Sequence, residues 1–199
     1  AAKPLIEKHP FGQLEAFPKG ETVPQIWILG SSNYGAQIAA HFGLPYCFAW
    51  FFSDGRGAEE AVELYRETYQ PSELHEKPYV GLCVWALAAE TDEEAQFHYS
   101  SRAKWRLYRD RGVFLPIEAP EVALRHEYDE VELERLERDR TTAFVGTASK
   151  VTDQIAQLGK QLEIDEMALV TWVYDEDVRK KSFALIADSF NLEAKGAGG

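Results

Sequence analysis

Basic residues and cysteine are scarce in this 199-residue chain, and each shortage removes a class of function. Lys and Arg number 21 against 33 Asp and Glu, a net charge of -12. No long-range field therefore draws the chain to a phosphate backbone or an anionic membrane, and nucleic acid is not an expected partner. No stretch reaches the roughly 18 uncharged apolar residues of a membrane helix, and the first residues contain no apolar segment of signal-peptide type. A soluble, cytoplasmic protein without membrane contact is expected. The 2 cysteines, Cys47 and Cys83, lie inside apolar runs, away from any Cys or His at ligand spacing. His9, His41, His75, His98 and His126 are scattered and unpaired. Buried thiols in a reducing compartment are expected, with no disulfide framework and no metal site. The Gly-x-Gly-x-x-Gly fingerprint, the P-loop lysine and the Gly-x-Ser-x-Gly elbow are also missing, which removes the common signatures of dinucleotide binding, P-loop nucleotide binding and serine hydrolysis.

What is present is a core. Apolar residues make up 45% of the chain, enough for one domain. Residues 1–22 have no sustained period and are expected to form an irregular arm, and the Gly-rich residues 193–199 a flexible tail. Between them apolar runs alternate with helical patterns. The runs are Val23–Gly30, Tyr46–Phe52, Pro78–Ala89, Phe144–Thr147 and Met167–Tyr174. Helical segments are predicted over Tyr34–Phe42, Ala58–Tyr69, Thr91–Tyr108, Ala148–Leu162 and Asp175–Phe190. Gly43 reads as a C-cap, and Thr91 with Glu94 as a capping box. Residues 110–142 break the rhythm with Pro116, Pro120 and a charged helix near Glu121–Arg138, and read as an insertion. Alternation of this kind means an α/β fold with a parallel sheet, either doubly wound or part of a (β/α)8 barrel.

Ligands of parallel sheets meet the C-terminal ends of the strands. At the first such end, Gly30-Ser31-Ser32-Asn33 offers two hydroxyls and a helix N-terminus, which suits either a helix cap or an anion. Trp27, Trp50, Trp85 and Trp172 all fall in the predicted strands, and Trp50 and Trp172 lie nearest strand ends. The loop Ser53-Asp54-Gly55-Arg56-Gly57 reads as a plain turn or as a lid in which Arg56 meets an anionic group.

The stretch Ile26-Trp27-Ile28-Leu29-Gly30-Ser31-Ser32-Asn33-Tyr34-Gly35-Ala36, with Ala39 to Tyr46 after it, resembles the bacterial luciferase-like flavin monooxygenases. Glu63 to Arg66, Ala89 to Ala95 and Phe144 to Thr147 resemble the same family in the same order. That resemblance implies a (β/α)8 TIM barrel of which residues 23–192 form the C-terminal half, about strands five to eight, with the helical insertion at 110–142. It also implies reduced FMN and O2 as cofactor and co-substrate, and an aldehyde or other small organic substrate. The expected partners are a flavin reductase and an N-terminal half barrel or partner subunit, in an oligomer. Gly30, Ser31, Ser32 and Gly35 match the flavin phosphate turn, where Gly35 replaces a hydroxyl residue of the luciferase α subunit. Trp50 matches a tryptophan beside the flavin ring. Arg56 and Trp172 are candidate lid or substrate residues, and no catalytic acid or base is assigned. The alternatives are a deazaflavin-dependent oxidoreductase of the same family, or a non-catalytic flavin-binding or structural fragment.

Overall fold

The computed structural model describes residues 24–193 together with Phe17 and Gly20; the expected arm and tail otherwise lie outside the described residues. Five strands, β1 (Ile28–Gly30), β2 (Tyr46–Ala49), β3 (Val80–Ala89), β4 (Phe144–Thr147) and β5 (Glu166–Val170), form one sheet in which every pairing is parallel. The lateral order is β1-β2-β3-β5, and β4 pairs with β3 at Ala86–Ala89, beyond the point where β2 leaves it at Cys83. All ten residues of β3 are buried, which is why its apolar run shows no alternation.

The two faces of the sheet are covered differently. Tyr46, Phe48, Leu82, Val84, Ala86 and Ala88 pack under helices α1 (Asn33–Phe42), α3 (Ala58–Thr68), α7 (Ala148–Gln161) and α8 (Glu176–Ser189). Tyr65 of α3 ties this layer to the sheet, because its hydroxyl donates to Leu44 O at 2.9 Å and accepts from Tyr79 N at 3.1 Å. On the opposite, inner face, register partners line up in rows. Leu29, Cys47, Gly81 and Glu166 form one, Ala49, Cys83 and Ala168 the next, and Trp85 and Val170 the third.

The third helix does not sit where the sequence rhythm implies. Helix α4 (Asp92–Asp110) packs Ala95 and Tyr99 against Trp85, Leu87, Ala89 and Val145 on the inner face, so the helix that follows β3 on the outer face is α7. Helix α4 instead belongs with α5 (Pro120–Leu124) and α6 (Glu130–Thr142), a layer over the strand C-terminal ends that starts at Asp92 rather than 110. The single charged helix expected near Glu121–Arg138 is two helices. Asp129 starts the second through a capping box, accepting from Glu132 N at 2.8 Å while the Glu132 carboxylate accepts from Asp129 N at 2.9 Å.

The apolar run after β2 also ends early. Trp50–Ser53 is a short helical turn, α2, not strand. Two features select the turn. Asp54, Gly55 and Gly57 take left-handed backbone angles, and the Trp50 ring lies so close over Gly55 that a Cβ there would sit 2.3 Å from it. From α4, the Arg106 guanidinium donates to Phe52 O at 3.1 Å and pairs with Asp54 at 2.6 Å, satisfying the end of the turn. Gly55→Ala combines a φ of +79° with a clash against Trp50 and is expected to cost about 2–4 kcal/mol in chemical denaturation. A loss under about 0.5 kcal/mol would show that the Trp50 ring moves away freely.

Candidate functional site

At the C-terminal end of β1 the chain turns directly into α1. Gly30 and Gly35 pack back to back, so a Cβ on either would lie 3.3 Å from the Cα of the other, a contact tight enough that the turn would have to give by a few tenths of an ångström. The Tyr46 hydroxyl donates to Ser32 O at 3.3 Å and lies 3.5 Å from Gly30 O. Burial pushes this phenol well above its ordinary range, so it stays a donor. Ser32 occupies the N-cap with extended backbone, yet neither it nor Ser31 caps the helix with its side chain. Both serines are exposed, and no acid occupies the first turn. The capping alternative is thus absent, leaving two hydroxyls and the first N–H groups of α1 uncommitted. Asn33 is committed, because its amide donates to Glu60 at 2.8 Å.

The other sequence candidates separate. Trp50 lies in α2 with its ring against Gly55 and 6.3 Å from Phe144, supporting the outer-face core. Trp172 follows β5 and joins the inner face, with its ring 5.6 Å from Phe51, 6.3 Å from Trp105 and 6.5 Å from Trp85. Of the four tryptophans expected in strands only Trp85 is in one, and Trp85 is the partner that strand-end reasoning passed over. Arg56 bonds within its own loop, its Nε donating to Ser53 O at 3.2 Å. That loop is tied to α4 through Asp54 and Arg106. Arg102 of α4 reaches the inner aromatic cluster, over Trp85 at 4.1 Å, and Arg109 lies over Trp105 at 5.4 Å; the sequence singled out neither.

Cys83 is buried, whereas Cys47 is only half-buried, since its inner-face row is open beside it. Leu29 in that row is 56% exposed. Burial, with smaller contributions from Cys83 and Glu166, raises the Cys47 thiol to about 12. Alkylation by iodoacetamide at pH 8 is expected to be at least about a hundredfold slower than for a free cysteine, because the thiolate is the reactive form. The rate should climb with pH up to that range, and labelling at the free-cysteine rate would contradict the burial. Among the described residues no cluster of three or more His, Cys, Asp or Glu is placed to hold a metal, and no helix is long and apolar enough to cross a membrane.

A parallel α/β sheet with four helices on its outer face, an inner face that α4 covers at the C-terminal end, and an uncommitted turn at a strand C-terminus belongs to the parallel α/β folds in which ligands, where bound, meet the strand ends. Within it, residues 8–166 match the luciferase-like monooxygenase family, and the chain belongs to that family. It is 30% identical over 186 residues to the Bacillus subtilis (strain 168) protein YceB, covering 94% of this chain and 56% of that protein. It is also 30% identical over 169 residues to the Escherichia coli (strain K12) luciferase-like monooxygenase, covering 85% of this chain and 50% of that one. The crystal structure of apo-MsnO8 superposes with a TM-score of 0.79 at 27% identity, covering 92% of this chain and 56% of the MsnO8 chain. The chain thus spans about half the length of these relatives.

Proposed function

We propose that this chain supplies β1, β2, β3 and β5 as strands five to eight of a (β/α)8 barrel whose complete form is a flavin-dependent monooxygenase. Reduced FMN and O2 would oxidise an aldehyde or another small organic substrate, with a flavin reductase supplying the reduced cofactor. The observation that carries the reading is the uncapped turn at Ser31 and Ser32, whose donors suit a phosphate dianion. A structural neighbour of the same fold, the oxygenating constituent of 3,6-diketocamphane monooxygenase, was solved in complex with FMN; it is 16% identical with a TM-score of 0.52.

In this proposal Ser31 and Ser32 hold the phosphate through their hydroxyls and the α1 amides. Gly30 and Gly35 shape the turn, and Tyr46 pins its backbone carbonyls. Trp50 supports the wall beside the flavin through the loop at the end of β2 rather than from a strand. Bound reduced FMN would supply the electrons that activate oxygen. Around it the protein positions the substrate and excludes water, a task suited to Phe51, Trp85 and Trp172 under the cover of α4. Leu29 and Ala168 are exposed on the inner face, so this half needs the other half barrel, from the same chain or a partner subunit, to finish the enclosure.

The test uses the complete protein with reduced FMN and measures oxygen uptake and the products formed from a panel of aldehydes and other small organic compounds. Substrate-dependent product formation that requires reduced FMN is expected. Failure to bind FMN in either redox state would overturn the reading, and product formation with reduced deazaflavin alone would transfer it to the other cofactor class.

A further inference from the structure

Asn33 opens α1, and its amide donates to the Glu60 carboxylate at 2.8 Å. Glu60 belongs to the first turn of α3, 27 residues further along the chain, so the bond ties two successive strand–helix units together beside the turn at Ser31 and Ser32. Packing holds it there, because α1 and α3 lie against each other with Ala36, Ala39, Ala40, Ala61 and Val62 buried. A carboxylate is thereby fixed one side chain away from the hydroxyls and amides proposed to hold the flavin phosphate.

That charge is not offset by a base. Among the described residues Glu60 forms no ion pair, and its recorded partner is the neutral Asn33 amide. The nearby bases are used elsewhere: Arg56 donates through Nε to Ser53 O at 3.2 Å, and Arg66 of α3 donates to Leu162 O at 3.0 Å. Past Asn33 the surface continues as an open groove of about 490 Å³, lined by Gly55, Gly57, Ala58, Glu59, Glu60 and Glu63. Carboxylates line it and bases do not. An acidic group attached to a phosphate at the turn therefore comes close to Glu60, and on the α3 side it meets two further carboxylates.

We infer that Glu60 is a specificity-determining residue of the phosphate turn, admitting a flavin that ends at its phosphate and turning away one whose phosphate carries an acidic tail, such as the oligoglutamate of the deazaflavin cofactor. The inference deepens the monooxygenase reading and rests on its phosphate site. Repulsion between like charges scales with the charge of the ligand and fades with added salt. Glu60 thus acts in a graded way, without effect on riboflavin, moderately against FMN and most strongly against a tailed cofactor. Rejection by a like charge requires no contact with the reacting ring.

The experiment titrates the complete protein and its Glu60→Gln variant with riboflavin, FMN and oligoglutamate-tailed deazaflavin, at about 0.02 M and about 0.5 M salt, following fluorescence. Glutamine keeps an oxygen for the Asn33 amide and removes only the charge. Each ligand is compared with itself between the two proteins, so differences between the rings cancel. In Glu60→Gln at low salt, FMN is expected to bind about threefold more tightly, the tailed cofactor at least about tenfold more tightly, and riboflavin unchanged. Both gains should shrink at the higher salt. The wild type alone should prefer FMN to the tailed cofactor at low salt and lose part of that preference at high salt, which tests the same charge without any variant. An equal change for riboflavin, gains that ignore salt, or no gain for the tailed cofactor overturns the inference and leaves an FMN site in place. Tighter binding of the tailed cofactor than of FMN by the wild type overturns it too. A protein that binds none of the three removes the phosphate reading and the inference with it.

Discussion

Replacing Ser31 and Ser32 together by alanine is expected to weaken FMN binding to the complete protein by more than tenfold while changing riboflavin binding by less than about twofold. The two ligands differ only in the phosphate, and a hydrogen bond to a charged group is worth about 1.5–3 kcal/mol. Exposure of both serines places each at the lower end of that range, and two such bonds still exceed the 1.4 kcal/mol of a tenfold change. Neither hydroxyl caps α1, so the double variant should retain its thermal stability to within about 1 kcal/mol. That contrast separates a ligand contact from a damaged helix start. Parallel loss of FMN and riboflavin would point to a disturbed turn, and loss of neither would remove the phosphate from β1. Fluorescence titration of both flavins into wild type and variant measures all of these outcomes.

The second large effect concerns the inner face. The sheet ends in β1 on one side and β5 on the other, and among the described residues neither outer edge is paired. Leu29 is 56% exposed beside the half-buried Cys47, and Ala168, next to the buried Cys83, is exposed as well, so apolar surface is left open on the inner face outside the cover of the α4 layer. Unpaired edges combined with an apolar face favour association. The 199-residue chain alone is therefore expected to sediment as a species larger than its 22.5 kDa monomer and to enhance the fluorescence of a hydrophobic dye severalfold. Supplying the other half of the barrel should abolish both signals. A dye-silent monomer at micromolar concentration would contradict the half-barrel reading.

The parallel order of β1, β2, β3 and β5 was legible because each strand is an apolar run with a helix start at its end. A ten-residue run such as Val80–Ala89, buried on both faces, has few alternatives. What escaped sequence reasoning depends on contacts between distant segments. Trp50-Phe51-Phe52 reads as a continuation of β2, and it becomes a helical turn because Arg106, far along the chain, satisfies its carbonyls. Helix α4 carries the same apolar stripe whichever sheet face it covers, so its placement on the inner face could not be read from its own residues. Arg102 stands between Ser101 and Lys104 in a charged helix and reads as solvated; only the packing of α4 onto Trp85 buries it. The break between α5 and α6 did have a local signal, the Asp129-x-x-Glu132 spacing. At the end of β1 the sequence left helix cap and anion site as alternatives; Ser32 takes the N-cap position without a side-chain cap, and the anion is what we propose for the turn.

A crystal structure of the complete protein with FMN tests the proposed site most directly. The expected result is a phosphate with its oxygens within hydrogen-bond distance of the Ser31 and Ser32 hydroxyls and the first amides of α1, and an isoalloxazine ring on the inner face near Trp85. A phosphate held at another strand end, or a protein that takes up no FMN at saturating concentration, would contradict it.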